Sequence, residues 1–241
     1  KDNQATGQAV GQGGCLYFYL SGAGNWRLDV LSVTFENNSA DLEGSVIYSA
    51  MSTYTESWSF DTVTFLNNQA GSVEAIYAPM IPEANGRVAF QSVQWLQNVA
   101  SRAPALYISA GRLFSDFTMS NCTIQDNQAL AEWSAIVLVF STSPDVLIEG
   151  CQFANNSSPA TGSLYIQVDG AAPTIVLSDL HWKDESFVGV PGPRQSALTV
   201  SGAISDIGLT LQHSTMERVG GYGAVFTNMS YVTMTNVTAS H

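Results

Sequence analysis

The chain of 241 residues is 45% hydrophobic but only 12% charged, and its 20 Asp and Glu against 8 Lys and Arg give a net charge of −12. This acidity argues against a nucleic-acid-binding protein, whose affinity comes from neutralising phosphates with basic side chains, and it disfavours anionic polysaccharides as partners. No segment approaches the ~18–20 consecutive apolar residues of a membrane-spanning helix, so the sequence predicts no membrane span.

The predicted elements recur in chain order with a nearly constant spacing. The stretch LSVTFENNSA at 31–40 returns as DTVTFLNNQA at 61–70. The bulky residue of this motif forms a column whose first five steps are 30, 30, 29, 29 and 29 residues. Its predicted members are Phe35, Phe65, Trp95, Ile124, Phe153, Trp182, Met216 and Met234. Such a period is the signature of a repeat protein.

Two further segments accompany each motif. An apolar-x-apolar pair precedes it, as in Leu28 and Val30 or Trp58 and Phe60, and a segment such as VIYS or ALYI follows it. Each segment alternates apolar and polar residues, which predicts strands with one buried face. In the last repeat Ala224 and Met234 are only 10 residues apart, which predicts that the middle segment is missing there.

These columns predict the fold class. A strand trio of about 30 residues cannot bury its apolar face alone, but stacked copies form continuous inner columns. We therefore expect an all-β protein, a single-stranded right-handed parallel β-helix of about eight coils with three short strands per coil. We expect one continuous segment over 1–241 with a protruding loop near 186–195, where SFVGVPGPRQ lengthens the repeat.

Two columns next to the core have predicted structural roles. An asparagine follows the bulky residue by three positions, and stacked Asn side chains pair as a ladder at a corner; its predicted members are Asn38, Asn68, Asn98, Asn127 and Asn156. In the third segment aliphatic residues from Leu16 to Val225 are placed inside. The next position then faces outward and forms a stripe for sugar binding or assembly, comprising Tyr17, Tyr48, Tyr77, Tyr107 and Tyr165, with Phe226 in the last repeat.

Cysteines and glycosylation sequons suggest covalent chemistry. Cys122 and Cys151 share one inward slot of adjacent coils, within range of a disulfide, and two packed free thiols are the alternative. Asn-x-Ser/Thr sequons favour an extracellular or cell-surface glycoprotein; the candidate N-glycan sites are Asn37, Asn121, Asn155, Asn228 and Asn236. Asn37, Asn155 and Asn236 are expected in one exposed slot, whereas Asn156 belongs to the ladder and should stay unmodified.

Evidence for catalysis is weak. Glu149, Asp179, His181 and His213 are predicted near one sheet edge, where they are candidates for acid–base work or metal binding. The sequence contains no HExxH, GxSxG or Gly-rich phosphate loop. We therefore expect a non-enzyme without a cofactor or metal, with Ca²⁺ left as an alternative that no residue pattern supports.

Two motifs resemble a known repeat family. The first stands as FENN at 35–38, FLNN at 65–68 and FANN at 153–156, and the second stands as GGCL at 13–16, APAL at 103–106 and YGAV at 222–225. Together they resemble the Phe-x-x-Asn and Gly-Gly-Ala-[Ile/Leu/Val] repeats of chlamydial polymorphic membrane proteins and related pectin-lyase-like surface proteins. This resemblance covers nearly the whole chain and implies a β-helical adhesin or surface scaffold.

The sequence thus predicts an extracellular structural β-helix, a segment of a glycosylated surface fibre or adhesin. The alternatives are a polysaccharide lyase or hydrolase on the same fold, and a glycan-binding module that uses the tyrosine stripe. Neither end of the sequence carries a polar cap against edge pairing. The expected partners are therefore neighbouring copies or further repeats of the same chain, with glycans as a further candidate.

Overall fold

The computed structural model describes residues 4–5, 15–20, 26–42, 44–51, 56–73, 76–78, 86–110, 114–132, 134–159, 162–170, 173–187, 196–202 and 207–240. Within these ranges every regular element is a β-strand, and all strand pairs are parallel. The predicted all-β class and the stacking of parallel coils are therefore confirmed.

The strands are short because each flat face of a coil is only a few residues wide. In the first half of the chain they are β1 (Gln4–Ala5), β2 (Leu16–Leu20), β3 (Trp26–Leu31), β4 (Thr34–Glu36), β5 (Ser39–Ala40), β6 (Ile47–Met51), β7 (Glu56–Asp61), β8 (Thr64–Leu66), β9 (Gln69–Val73), β10 (Ile76–Ala78), β11 (Gly86–Gln91), β12 (Gln94–Leu96), β13 (Val99–Arg102), β14 (Leu106–Ala110), β15 (Phe114–Ser120) and β16 (Thr123–Gln125).

The same succession continues through the second half. Its strands are β17 (Gln128–Glu132), β18 (Ile136–Phe140), β19 (Asp145–Glu149), β20 (Gln152–Ala154), β21 (Ser157–Ser158), β22 (Leu164–Val168), β23 (Thr174–Ser178), β24 (His181–Lys183), β25 (Ser186–Phe187), β26 (Ser196–Gly202), β27 (Gly208–Gln212), β28 (Thr215–Glu217), β29 (Tyr222–Thr227), β30 (Tyr231–Thr235) and β31 (Thr238–Ser240).

Successive strands join four different sheets in turn. Sheet A runs β1-β5-β9-β13-β17-β21-β25, sheet B runs β2-β6-β10-β14-β18-β22-β26-β29, sheet C runs β3-β7-β11-β15-β19-β23-β27-β30, and sheet D runs β4-β8-β12-β16-β20-β24-β28-β31. Three strands per coil, as predicted, is therefore wrong, because sheet A adds a fourth. Its members follow the asparagine corner and span as few as two residues, too short to show an alternating pattern.

The core consists of side chains stacked from one coil to the next. In sheet D the ring of Phe35 stacks on Phe65 at 5.3 Å between centroids, and Phe65 stacks on Trp95 at 5.8 Å. Phe153 and Trp182 stack in the same way at 5.2 Å. Offset-stacked rings add attraction beyond the burial of their area. The predicted bulky column is thus the continuous interior of sheet D from Phe35 to Met216.

Two corners with left-handed backbone flank sheet D in each coil. The corner between sheets C and D is formed, in chain order, by Ser32, Thr62, Ser92, Asn121, Gly150, Asp179, His213 and Asn236. The corner between sheets D and A is formed by Asn37, Asn67, Gln97, Asp126, Asn155, Asp184 and Arg218. Their φ values lie between 49° and 62°. Asn, Asp and Gly tolerate this conformation best, which explains their frequency at both corners.

The last coil differs from the prediction. Met234 lies in sheet C opposite Leu211, and Ala239 follows Met216 in sheet D. The middle segment is therefore present as β30, and the predicted truncation is wrong. The spacing misled because this coil is short: among the described residues no sheet A strand lies between β28 and β29, and its sheet D position is the small Ala239, 23 residues after Met216.

The predicted inward and outward positions of sheet B are also the reverse of those observed in this coil. Thr199 pairs with Val225, and Val200 pairs with Phe226. Phe226 therefore packs against the core, and the predicted positions of Val225 and Phe226 are wrong. A shift of one residue exchanges the two faces of a strand, and a pattern as apolar as AVF does not fix the register.

Candidate sites on the solenoid surface and at its corners

The asparagine column forms a continuous ladder at the D–A corner. The Oδ1 of Asn68 accepts hydrogen bonds from the backbone N and the Nδ2 of Asn38 at 3.0 and 2.9 Å. The same pair of bonds joins Asn68 to Asn98, Asn98 to Asn127 and Asn127 to Asn156. Because the Nδ2 of each asparagine from Asn68 to Asn156 also donates to a backbone carbonyl, such as that of Phe35, these buried amides are well satisfied.

Glu185 ends this ladder and was not predicted. It occupies the slot after Asn156, whose Nδ2 donates to Glu185 Oε1 at 3.1 Å, and the Ser163 hydroxyl donates to the other carboxylate oxygen. Only 3% of Glu185 is exposed, and this burial raises the pKa of its carboxyl to about 8. Glu185 lies three residues after Trp182, at the same offset as the ladder asparagines, and this offset could have identified its slot. The slot was missed because it holds Glu and not Asn.

The structure holds Cys122 and Cys151 as free, buried thiols in adjacent coils. Their Sγ atoms each contact the backbone carbonyl two residues earlier, at Ser120 and Glu149, at 3.3 Å. The hydrogen bond with Cys122, together with burial, raises the pKa of the Cys151 thiol. The two thiols therefore lie side by side, and a disulfide between them stays a prediction.

The four weak catalytic candidates lie near the C–D corner but do not form one site. His213 Nδ1 is 3.8 Å from Asp179 Oδ1, with both side chains at least half exposed. His181 Nδ1 instead lies 2.7 Å from Thr215 Oγ1, and Glu149 ends β19 beside Ser178. Within the described ranges, no three His, Cys, Asp or Glu side chains are grouped to hold a metal ion.

An ion pair missed by the sequence reasoning bridges two coils at the D–A corner. Arg218 binds Asp184 through two nitrogens, with Nη2 donating to Oδ2 at 2.8 Å and Nε donating to Oδ1. The hydrogen bonds from this guanidinium lower the pKa of Asp184. Both side chains are well solvated, so the pair contributes little to stability.

The tyrosine stripe lies along sheet B. Tyr17, Tyr48, Tyr77 and Tyr107 pair in register, followed by Val137 and Tyr165. Tyr107 and Tyr165 are half-buried on the face opposite the core, and Val137 between them is fully buried. The Tyr165 hydroxyl donates to Gln167 Oε1 at 3.0 Å, and Gln167 Nε2 donates to Asp169. This part of the stripe is therefore a packed ladder with a polar margin.

The sequons occupy both left-handed corners. Asn37 and Asn155 share the D–A corner, whereas Asn121 and Asn236 share the C–D corner. The prediction that Asn236 shares the slot of Asn37 is therefore wrong, for the same reason that the last coil was misread. Asn228 also has a positive φ, at 55°, between sheets B and C. All five side chains are exposed, whereas Asn156 is buried.

The predicted loop near 186–195 is only partly described. Ser186 and Phe187 form β25, which pairs with β21 in sheet A. These two residues therefore continue the coil, and positions 188–195, with both prolines, lie outside the described residues.

The last coil leaves two inward positions exposed, Tyr222 in sheet B at 57% and Met234 in sheet C at 52%. Tyr231, which pairs with Gly208 at an outward position, is 62% exposed. A cavity of about 220 Å³ lies beside Tyr222, which lines it together with Met216, Val219, Gly221, Gly223, Ala239 and Ser240. The inner columns of sheets C and D therefore reach solvent at this end of the described structure.

Comparison with known proteins supports the repeat assignment. Among the described residues no helix is long and apolar enough to cross a membrane. No curated protein and no solved structure gives a significant match to the chain. Residues 32–50, which include the first bulky residue and the first ladder asparagine, match the model of the Chlamydia polymorphic membrane protein repeat. The chain is therefore a parallel β-solenoid in which residues 32–50 are similar to the Chlamydia polymorphic membrane protein repeat.

Proposed function

We propose that this chain is a non-catalytic structural β-helix that forms a segment of a glycosylated surface fibre or adhesin, at the cell surface or outside the cell. The observation that carries the proposal is the match of residues 32–50 to a repeat of surface-associated membrane proteins, on a chain whose coils repeat that unit. The stacked rings and the asparagine ladder support a scaffold role, because they give each coil the same rigid connection to the next.

The structure supports a carbohydrate-active enzyme less well than a scaffold, because the exposed polar pairs do not form one site. The Asp179–His213 and His181–Thr215 pairs are separate contacts on an open corner. A glycan-binding module receives some support from Tyr107 and Tyr165, whose outward rings are spaced by Val137. Aromatic rows of this kind bind sugar rings, so glycan binding along sheet B is the second candidate function.

The last coil supports stacking with further repeats of the same chain or with neighbouring copies. Among the described residues, strands β29, β30 and β31 pair on one side only, so a further coil from either source can add parallel strands to their other edges. Tyr231 and Met234 place apolar surface beside these edges. A stacked copy would bury this surface and fill the adjoining cavity, so we expect concentration-dependent association through this end.

Sedimentation of the purified chain tests the association. Met234→Lys places a charge on the contact surface, and burying an unpaired charge is costly. We expect the variant to self-associate at least about tenfold more weakly than the parent chain. Gln94→Lys adds the same charge on the exposed face of sheet D and should leave association unchanged. A parent chain that stays monomeric at every concentration would contradict stacking of copies.

A further inference from the structure

The sequons coincide with a fixed feature of the coil. At each corner flanking sheet D except that of Arg218, the left-handed residue is followed by one that points inward and then by the first residue of a strand, which points outward. An Asn-x-Ser/Thr triplet therefore presents both of its recognition side chains on one face when its Asn stands at the corner.

Four sequons have this out–in–out placement. Their asparagines are Asn37, Asn121, Asn155 and Asn236, all exposed and all with φ between 52° and 54°. The middle residues Asn38 and Cys122 are buried, with 1% of each exposed. The hydroxyl residues Ser39, Thr123, Ser157 and Thr238 are half-buried or exposed. We propose that these four asparagines are N-glycosylation sites and that Asn156, within an overlapping sequon, is not.

The hydrogen bonding of the amides supports this division. At Asn37 the Oδ1 accepts from Asn67 Nδ2 at 2.7 Å, which leaves the Asn37 nitrogen for a sugar. Asn156 is 3% exposed, and its Nδ2 donates to Ile124 O at 2.9 Å and to Glu185 Oε1 at 3.1 Å. A glycosylated amide retains one N–H, so a sugar on Asn156 would break one of these bonds and enter the core.

Asn228 is not included in the proposal, because its amide nitrogen is engaged in a hydrogen bond. Its side chain is exposed and its φ is positive, but its Nδ2 donates to the backbone carbonyl of Gly202 at 2.7 Å. Part of its amide is therefore engaged in joining two coils. Its glycosylation remains a prediction from the sequence.

The modification is a group transfer from a lipid-pyrophosphate-linked oligosaccharide. The asparagine Nδ2 forms a bond to the anomeric carbon, the bond from that carbon to the pyrophosphate oxygen breaks, and Nδ2 loses one proton. Such a donor is met in the secretory pathway, so the inference rests on the proposed extracellular function. The glycans would lie on one side of the solenoid, because all four sites line the edges of sheet D. Sheet B, with Tyr107 and Tyr165, is then left free for contacts.

Secretion of the chain from a eukaryotic host, behind a supplied leader, tests the site map. Folded secreted protein is treated with an amidase that releases N-glycans and converts each modified Asn to Asp, and peptides are then read by mass spectrometry. We expect conversion at Asn37, Asn121, Asn155 and Asn236 and none at Asn156. Conversion at Asn156, or an unmodified state at most of the corner sites, would overturn the proposal.

A matched pair of variants separates the overlapping sequons. Ser157→Ala removes the sequon of Asn155 and keeps that of Asn156, whereas Ser158→Ala does the reverse. We expect Ser157→Ala to lose one glycan and Ser158→Ala to lose none. Because Ser158 is buried, failure of that variant to be secreted leaves the decision to peptide fragmentation of the parent chain. A glycan on Asn156 in the Ser157→Ala variant would contradict the proposal.

This experiment is separate from the proposed scaffold function. The supplied leader sends the chain through the secretory pathway whatever its native location is. A wrong site map therefore leaves the scaffold proposal intact, and an intracellular location of the native protein would leave the accessibility of the four corner asparagines unchanged.

Discussion

At the scale of single residues, Glu185 is the most informative departure from the repeat. It occupies an asparagine slot, accepts from Asn156 and Ser163, and is followed in the next coil by the apolar, buried Val219. An asparagine offers both donors and acceptors to a ladder, whereas an ionised carboxylate only accepts. Glu185 lacks the amide N–H groups that each asparagine donates to the next rung, so the ladder ends there in either protonation state, and its burial favours the protonated form.

This burial makes the stability of the fold depend on pH. The carboxyl has a pKa of about 8 in the folded chain against about 4.5 unperturbed, so the unfolded chain binds fewer protons between these values. The free energy of unfolding should therefore fall as pH rises from about 4.5 to about 8, by about 3–5 kcal/mol in total. Glu185→Gln should abolish this component.

Urea unfolding of the parent chain and of Glu185→Gln at about pH 5 and about pH 9 measures the effect. The exposed Glu217→Gln serves as the matched control and should keep the pH dependence of the parent chain. If Glu185→Gln loses as much stability as the parent chain between the two pH values, the buried carboxyl is not its source.

At the scale of elements, the asparagine ladder holds sheets D and A at a fixed corner. Each rung connects its neighbours on both sides, so the loss of one amide affects three coils. Asn98 accepts from the backbone N and Nδ2 of Asn68, and its own Nδ2 donates to Asn127 Oδ1 and Phe65 O. Removing this side chain leaves several buried polar groups without partners.

We expect Asn98→Ala to lower the free energy of unfolding by about 2–4 kcal/mol, because each buried group left unpaired costs about 1–3 kcal/mol. Chemical denaturation measures the loss. Gln94→Ala, on the exposed face of β12, should change stability by no more than about 0.5 kcal/mol. Equal stability of the two variants would show that the ladder contributes no net stabilisation.

The sequence predicted those elements whose repeat was long enough to show a pattern. The columns of sheets B, C and D follow from alternation and from steps of 29 or 30 residues. The strands of sheet A, such as Ser39–Ala40, were missed because two residues cannot alternate visibly. The last coil was misread because the spacing changed, and a one-residue slip reversed Val225 and Phe226.

The candidate sites were likewise predicted where they follow the repeat and missed where they depart from it. The sequence predicted the ladder asparagines and the shared corner slot of Asn37 and Asn155, because their offset from the bulky residue is constant, but it misplaced Asn236. It did not predict Glu185 or the Asp184–Arg218 pair, since both are single departures from the repeat. The grouping of Glu149, Asp179, His181 and His213 was uncertain because it depends on side-chain direction at a corner, which no period encodes.

At the scale of the whole molecule, the coils form a rod with chemically different sides. Sheet D is bordered by two rows of left-handed corners that carry four sequons, whereas the described outer face of sheet B carries the packed residues Tyr107, Val137 and Tyr165. These features suit a scaffold whose sheet D corners and sheet B face offer different surfaces for contacts.

The central claim, that the chain is a structural segment of a surface fibre or adhesin, is tested most directly by electron microscopy of native material labelled with antibodies against the folded chain. The account predicts label on extended structures at the outer surface of intact cells. Label confined to the cell interior, and absent from the surface under the same conditions, would contradict it.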